Sequence, residues 1–120
     1  MAVERELTSP VELCDASGRL NPEAVGWSHH PLHTCNLRGP WPRQKRWDYW
    51  CVTSDTHPFS VTLSNLDYAG LAFVYCLDFG TRRFIEKTVI RPFASGCALG
   101  PTVGRPARFV FRGLSLPPSA

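Results

Sequence analysis

The feature that most constrains the fold is a series of four strand-forming runs between Trp47 and Ile90. Aromatic and β-branched residues dominate these runs, which is typical of β-strands. The predicted strands are Trp47–Ser54, Phe59–Ser64, Leu71–Phe79 and Arg83–Ile90. The turns between them are roughly four to six residues long, far too short for helical crossovers. The sequence therefore predicts an all-β fold built on an antiparallel meander.

The faces of the predicted strands differ in character. Phe59–Ser64 alternates strictly, with apolar residues on one face and hydroxyl residues on the other. Leu71–Phe79 is apolar on both faces, so we expect it to be covered on both. A sheet of this kind must close into a barrel or pack against another layer. We predict an incomplete lipocalin/calycin-like barrel or sandwich, with Phe109–Phe111 as a possible fifth strand.

The rest of the chain divides by composition. Residues 1–26 form a lead-in segment, and residues 27–103 form the N-terminal part of a β domain. Residues 27–46 within it are rich in Pro, His, Arg and Gly and are expected to be irregular. Residues 104–120 are expected to be a divergent, disordered tail, because they are rich in Arg, Pro, Ala and Ser.

Charge and cysteine content exclude several classes of protein. The net charge is +3, but acidic and basic blocks alternate along the chain. We expect no nucleic-acid binding, since nucleic-acid binders present a clustered basic surface. No run of 18 apolar residues is present, so no membrane span is predicted. The N-terminus lacks a secretory signal and the five cysteines have no CxxC spacing, which favours reduced thiols and a cytoplasmic location. Cys51 and Cys76 are expected in the core.

The segment Gly26–Trp50 holds all four tryptophans and three of the four histidines. His30, His33 and Cys35 are residue types that bind zinc, but their spacing matches no established ligand pattern, so we predict no metal and no cofactor. Ser28, His33 and Asp48 are the types of a catalytic triad, without a nucleophile elbow to support one.

Basic and aromatic residues alternate between Trp41 and Trp50, and this alternation has two interpretations. It indicates either structural contacts that hold the irregular segment to the sheet or an aromatic pocket for an apolar or anionic ligand.

Three long segments carry a family resemblance: Gly26–Ser54, Phe59–Phe79 and Phe84–Phe93, followed by GCALGPTV. They resemble the bacterial family described as domain of unknown function 2804, over roughly Glu12–Val103. The resemblance implies a lipocalin-like, calycin-type fold, whose relatives include carotenoid-hydrating and lipid-handling proteins. Because members of the family are longer, we expect this chain to be truncated, with the remainder of a longer parent chain as its partner.

Our first functional hypothesis is a non-catalytic binding module for an apolar ligand, lipid-like or isoprenoid. The candidate ligand-binding residues are Trp27, His33, Arg46, Trp47, Trp50, Phe73 and Tyr75. The alternative is a hydratase- or isomerase-type enzyme in which Asp67, Tyr68 or Asp78 supplies the acid, since a carboxyl beside aromatic rings has a raised pKa. Asp67 and Asp78 would otherwise cap their own turns. A third hypothesis is that the chain is a truncated fragment without a function of its own.

Overall fold

The computed structural model of the 120-residue chain describes residues 4–111 and 114–115. Along these residues the strands are β1 (Val11–Glu12), β2 (His33–Thr34), β3 (Arg46–Thr53), β4 (Pro58–Asn65), β5 (Ala69–Leu77), β6 (Phe84–Pro92), β7 (Cys97–Ala98), β8 (Arg108–Phe111) and β9 (Leu114–Ser115). The described residues contain one 3-10 turn, Pro22–Ala24, and no α-helix. They therefore form no helix that could span a membrane.

The centre of the molecule is a four-stranded antiparallel meander in the order β3-β4-β5-β6. The four predicted strands are all present, with ends shifted by one or two residues. The all-β prediction is therefore confirmed. Within the described residues the sheet stays open, with β3 and β6 as its edges, so it does not form a closed barrel.

Strand register divides the sheet into two faces of different composition. Leu63 pairs with Ala72, and Ala72 pairs with Val89, so these side chains share what we call the packed face. Ser60 pairs with Tyr75, and Thr62 pairs with Phe73, on what we call the open face. The predicted separation of apolar and hydroxyl residues along β4 is thus present in the sheet.

The core lies between one end of the packed face and the chain that follows β6. Phe109 of β8 is 1% exposed and forms a buried cluster with Leu63 and Ala72. The turn that follows β6 also approaches the sheet closely. Gly70 allows this approach, because a Cβ at that position would lie 2.9 Å from the Cα of Ala94. Arg108–Phe111 forms a strand, which includes the possible fifth strand predicted at Phe109–Phe111.

The disorder expected for residues 104–120 stays a prediction. Residues 112–113 and 116–120 of this segment lie outside the described residues. The division of the chain at residues 26 and 103 stays a prediction.

The expected covering of both sheet faces is not found within the described residues. At the far end of the packed face, Val52 is 70% and Ile85 is 74% exposed. Cys51, which we expected in the core, is exposed, and Cys76 is half-buried. The reason is the position of β3: it is an edge strand, and no described element packs over Cys51.

The N-terminal segment is held by short pairings with the irregular segment. Val11 pairs with His33 in a parallel β1–β2 ladder, and Glu6 bridges to Trp27. Asn21 caps the 3-10 turn by accepting a hydrogen bond from the backbone N–H of Glu23 at 3.1 Å. Residues 4–26 are therefore fixed against the residues that follow them.

Candidate functional site

A cavity of about 340 Å³ lies where the N-terminal segment, the irregular segment before β3, the start of β3 and the loop after β7 meet. Four stretches of the chain form its wall. The lining residues are Leu13, Cys35, Leu37, Lys45, Arg46, Trp47, Asp48, Leu99, Gly100, Thr102 and Val103. Most of these side chains are apolar, and the charged ones all come from one short stretch before and within β3.

Hydrogen bonds hold three of these stretches together around the cavity. The backbone N–H of Cys35 donates to the carbonyl of Pro101 at 2.7 Å. The guanidinium of Arg46 donates to the carbonyl of Gly100 at 2.6 Å. Both bonds reach the loop 99–103, so this loop is fixed from two sides and forms a preformed wall.

The edge position of β3 explains why consecutive residues line the cavity. Neighbouring side chains on a strand point to opposite faces, yet Arg46, Trp47 and Asp48 all border the same space. A cavity that reaches the free edge of the strand can border all three residues. Along its described length β3 pairs with β4 alone, so its other edge carries peptide groups without strand partners.

The charges at the cavity have no partners among the described side chains. Lys45 and Arg46 are basic, and Asp48 is the single acid in the wall. In the described part of the chain Arg5 forms a salt bridge with Glu23, and the ring nitrogens of His29 and His57 lie 3.5 and 3.8 Å from the carboxylates of Glu6 and Asp78. The cavity wall therefore has a net positive charge, and no carboxylate of the described residues pairs with its basic groups.

The structure brings two of the seven predicted ligand-binding residues to this cavity, Arg46 and Trp47. Trp50 lies further along β3, on the packed face, where its side chain is largely exposed. Phe73 and Tyr75 lie on the open face of β5, with ring centroids 6.0 Å apart. Since β5 lies two strands from β3, these rings are about 10 Å across the sheet from the cavity edge.

Trp27 and His33 lie in the N-terminal part of the fold and do not line the cavity. The indole of Trp27 contacts the ring of His29 edge to face, at 4.9 Å between centroids. The Nε2 of His33 lies 2.8 Å from the carbonyl oxygen of Ala24 and donates to it. The first contact lies within the irregular segment, and the second connects this segment to the lead-in segment.

The three candidate acids do not lie together. Asp67 and Tyr68 are in the β4–β5 turn, at the same end of the sheet as the cavity, but neither lines it. Asp67 does not cap its own turn: Asn65 accepts from the Asp67 N–H at 2.9 Å. The Asp67 carboxylate instead accepts from the backbone N–H of Gln44 at 3.1 Å.

Asp78 lies at the opposite end of the sheet, in the turn between β5 and β6. Its Oδ1 accepts hydrogen bonds from the backbone N–H groups of Gly80 at 2.9 Å and Thr81 at 3.1 Å. These bonds, led by the one from Thr81, and the nearby His57 lower the pKa of Asp78. The expected raised pKa is therefore wrong for this carboxyl, which caps its turn in the ionised form.

The residues considered for a metal site and for a catalytic triad are not brought together in the described structure. Across the described residues no group of three or more His, Cys, Asp and Glu side chains is placed to hold a metal ion. The hydroxyl of Ser28 donates to the carbonyl of His30 at 2.6 Å, while His33 bonds to Ala24. No hydrogen bond links Ser28, His33 and Asp48 in this part of the chain.

The predicted contacts between basic groups and aromatic rings also differ from those observed. Among the described residues, the cation–π contact is that of Arg91 with Phe111, 6.0 Å from guanidinium carbon to ring centroid. On the open face, interaction with Cys51 raises the pKa of Tyr49 to about 12. Tyr49 is therefore a neutral phenol at physiological pH.

Sequence reasoning missed the apolar wall of the cavity, formed by Leu13, Leu37, Leu99 and Val103. No periodicity marks these residues, because each lies in a short irregular segment. The one local signal is the Gly100-Pro101 pair, which indicates a turn. A turn signal alone does not identify the neighbours that the turn contacts.

The open four-stranded sheet and the cavity at its edge define a small β domain with a preformed cavity. A family profile, Domain of unknown function (DUF2804), matches residues 4–116. The chain belongs to this family. The match extends beyond both ends of the region Glu12–Val103 that carried the resemblance. No curated protein and no solved structure matches the chain.

Proposed function

We propose that the protein is a non-catalytic binding module for an apolar ligand and that the cavity beside β3 is its binding site. The observation that carries the proposal is the cavity itself, about 340 Å³ with a mainly apolar wall. Small-molecule sites occupy about 300–1,000 Å³ and combine apolar walls with a few polar groups. The volume lies at the small end of that range, which favours a compact ligand.

The composition of the wall supports an apolar occupant. Leucine and valine residues contribute four members of the wall, and Trp47 adds an aromatic residue. Removal of apolar surface from water stabilises a complex by about 25 cal/mol per Å². The loop 99–103 is already held by hydrogen bonds from Cys35 and Arg46. Ligand binding therefore costs little free energy for ordering this loop.

The positions of the acids favour binding over catalysis. Asp67 and Tyr68 do not line the cavity, and Asp78 is at the far end of the sheet. A lowered pKa makes Asp78 a poor proton donor near neutral pH. No observation favours the hydratase or isomerase alternative.

The test is titration of the full chain with a neutral apolar fluorophore, N-phenyl-1-naphthylamine. We expect saturable binding of one molecule per chain. Val103→Trp places a large side chain at the cavity and is expected to abolish binding. Val52→Trp is the matched control, because Val52 is exposed on the sheet about 17 Å along β3 from Trp47.

The outcomes separate site binding from general adsorption to exposed apolar surface. Loss of binding with Val103→Trp but not with Val52→Trp supports the proposal. Binding that does not saturate, or that Val103→Trp leaves unchanged, overturns it.

We also propose that the protein is related to lipocalins and that it is located in the cytoplasm. A lipocalin-like relationship is supported by the antiparallel meander and a cavity at its edge. A cytoplasmic location is supported by five free cysteines, since reducing compartments keep thiols unpaired. The bacterial origin and the longer parent chain stay predictions.

A further inference from the structure

We infer that the ligand of this cavity is an amphiphile with a single anionic head, which Lys45 and Arg46 recognise. The inference rests on the proposed function and adds the chemical class of the ligand. Its evidence is the charge of the wall, the positions of the two basic residues, and the size of the cavity.

The basic groups are concentrated on one part of the wall. Lys45 and Arg46 are adjacent and border the cavity, whereas the wall contributed by the N-terminal segment and the loop 99–103 carries no charged side chain. The basic side chains of the cavity therefore come from one stretch of the chain and its leucine and valine side chains from others. This division matches a ligand with one polar head and one apolar body.

Arg46 is held in place before any ligand arrives. One of its five N–H donors is used by the Gly100 carbonyl at 2.6 Å, which fixes the guanidinium against the loop. The other donors have no carboxylate partner within the described residues. A fixed guanidinium with spare donors matches an oxyanion at little entropic cost.

Lys45 adds a second charge whose role is easier to test. It lies just before β3, its side chain is exposed, and it also lacks a carboxylate partner in the described structure. The neighbouring sequence adds to the positive electrostatic potential near Lys45, because residues 31–47 include four basic residues and no acidic one. Asp48 offsets one charge of the wall and leaves the balance positive.

The chemistry of occupation favours an anion over a neutral ligand. A neutral apolar molecule seated here displaces water from Arg46 and Lys45 and offers them no partner in return. Loss of water from an unpaired charge is costly, whereas a charge-assisted hydrogen bond compensates for it. An anionic head therefore binds more tightly than a neutral head on the same body.

The volume sets the size of the body. Water occupies about 30 Å³ per molecule in the liquid, so 340 Å³ holds about eleven groups of that size. A methylene group is comparable in size to a water molecule. A chain of about ten carbons with one carboxylate fills the cavity, and decanoate is the matching probe.

The experiment compares decanoate with 1-decanol by isothermal titration calorimetry on the full chain, with both probes below the concentrations at which they aggregate. The two probes share their alkyl body and differ in the charge of the head. We expect decanoate to bind about tenfold more tightly than 1-decanol, with the preference falling as salt increases.

Two variants locate the charge that is responsible. Lys45→Gln is expected to weaken decanoate binding about five- to tenfold but not to weaken 1-decanol binding, since the neutral probe has no charge for Lys45 to pair with. Arg43→Gln is the matched control: it removes the same charge from an exposed residue that does not line the cavity. We expect it to change either affinity by less than about twofold.

Each outcome decides between the two proposals. Equal affinities for both probes, with no effect of Lys45→Gln, overturn the head-group inference and leave the apolar site in place. If Lys45→Gln and Arg43→Gln weaken decanoate binding equally, direct contact between Lys45 and the head group is overturned. The long-range electrostatic attraction of the basic segment then accounts for the preference. Failure of both probes and of the neutral fluorophore overturns the proposed function together with the inference.

Discussion

At the scale of single residues, short polar side chains connect segments that the strands alone would leave apart. The Asp67 carboxylate accepts from Gln44, so the β4–β5 turn holds the stretch that leads into β3. Asp78 binds its own turn, and its carboxylate lies 3.8 Å from the Nε2 of His57 in the β3–β4 turn. Each carboxylate thus helps to fix the position of a turn.

The lowered pKa of Asp78 makes stability depend on pH in a defined direction. A carboxyl with a depressed pKa in the folded state stabilises the fold above its unfolded pKa, near 3.9, and loses that contribution as pH falls through the folded value. Asp78→Asn is therefore expected to lower the free energy of unfolding at pH 7, and the difference from the wild type is expected to shrink as the pH falls below the unfolded pKa of the carboxyl.

Urea unfolding of both proteins between pH 7 and pH 2.5 measures this difference. Asp55→Asn is the control, because Asp55 lies in the neighbouring turn and accepts no side-chain hydrogen bond in the described structure. A difference between wild type and Asp78→Asn that stays constant down to pH 2.5 contradicts the assignment.

At the scale of elements, β8 determines whether the sheet has a core. Leu63 and Ala72 are buried only because Phe109 packs on them, with Val89, Cys97 and Leu99 around the cluster. Sequence patterns predicted β3 to β6 well, because alternation and short turns are local properties. They gave β8 only as a possible strand, because three apolar residues in an Arg-rich segment do not indicate which surface they cover.

Phe109→Ala is expected to lower the free energy of unfolding by about 3–5 kcal/mol, the usual cost of removing a buried phenylalanine side chain. Phe93→Ala is the matched control, because Phe93 is 74% exposed, and its effect is expected to stay within about 0.5 kcal/mol. Urea denaturation followed by tryptophan fluorescence measures both.

Phe109→Leu provides a milder test in case the alanine variant does not fold. We expect it to cost less than about 1.5 kcal/mol, since leucine refills most of the volume. Equal losses for Phe109→Ala and Phe93→Ala would show that β8 does not provide the core.

At the scale of the whole molecule, the chain is more expanded than a compact domain of its length. The radius of gyration is 16.9 Å, whereas about 14 Å is typical for 120 residues. The buried apolar residues of the described part are few: Leu7, Cys14, Ala24, Leu63, Ala72, Ala94 and Phe109. With such a small core, contacts between segments at the cavity carry a large share of the tertiary structure.

Ligand binding is therefore expected to stabilise the molecule as a unit. At a concentration one hundred times its Kd, N-phenyl-1-naphthylamine should add about 2.7 kcal/mol to the free energy of unfolding. The urea midpoint should rise by about 1–2 M, with little change in the slope of the transition. Val103→Trp should show no such shift, and a shift of equal size in that variant would place binding elsewhere.

The sequence by itself determined the strands, their order and the two faces of the sheet, because a period of two and a short turn are encoded in neighbouring residues. It also placed Arg46 and Trp47 among the binding candidates. Only the tertiary structure decided that these two belong to a cavity with Leu13, Leu99 and Val103, while Trp27, Phe73 and Tyr75 lie apart. The contact between Arg46 and Gly100 joins residues 54 positions apart, and such a contact depends on how separate segments pack, not on any local pattern.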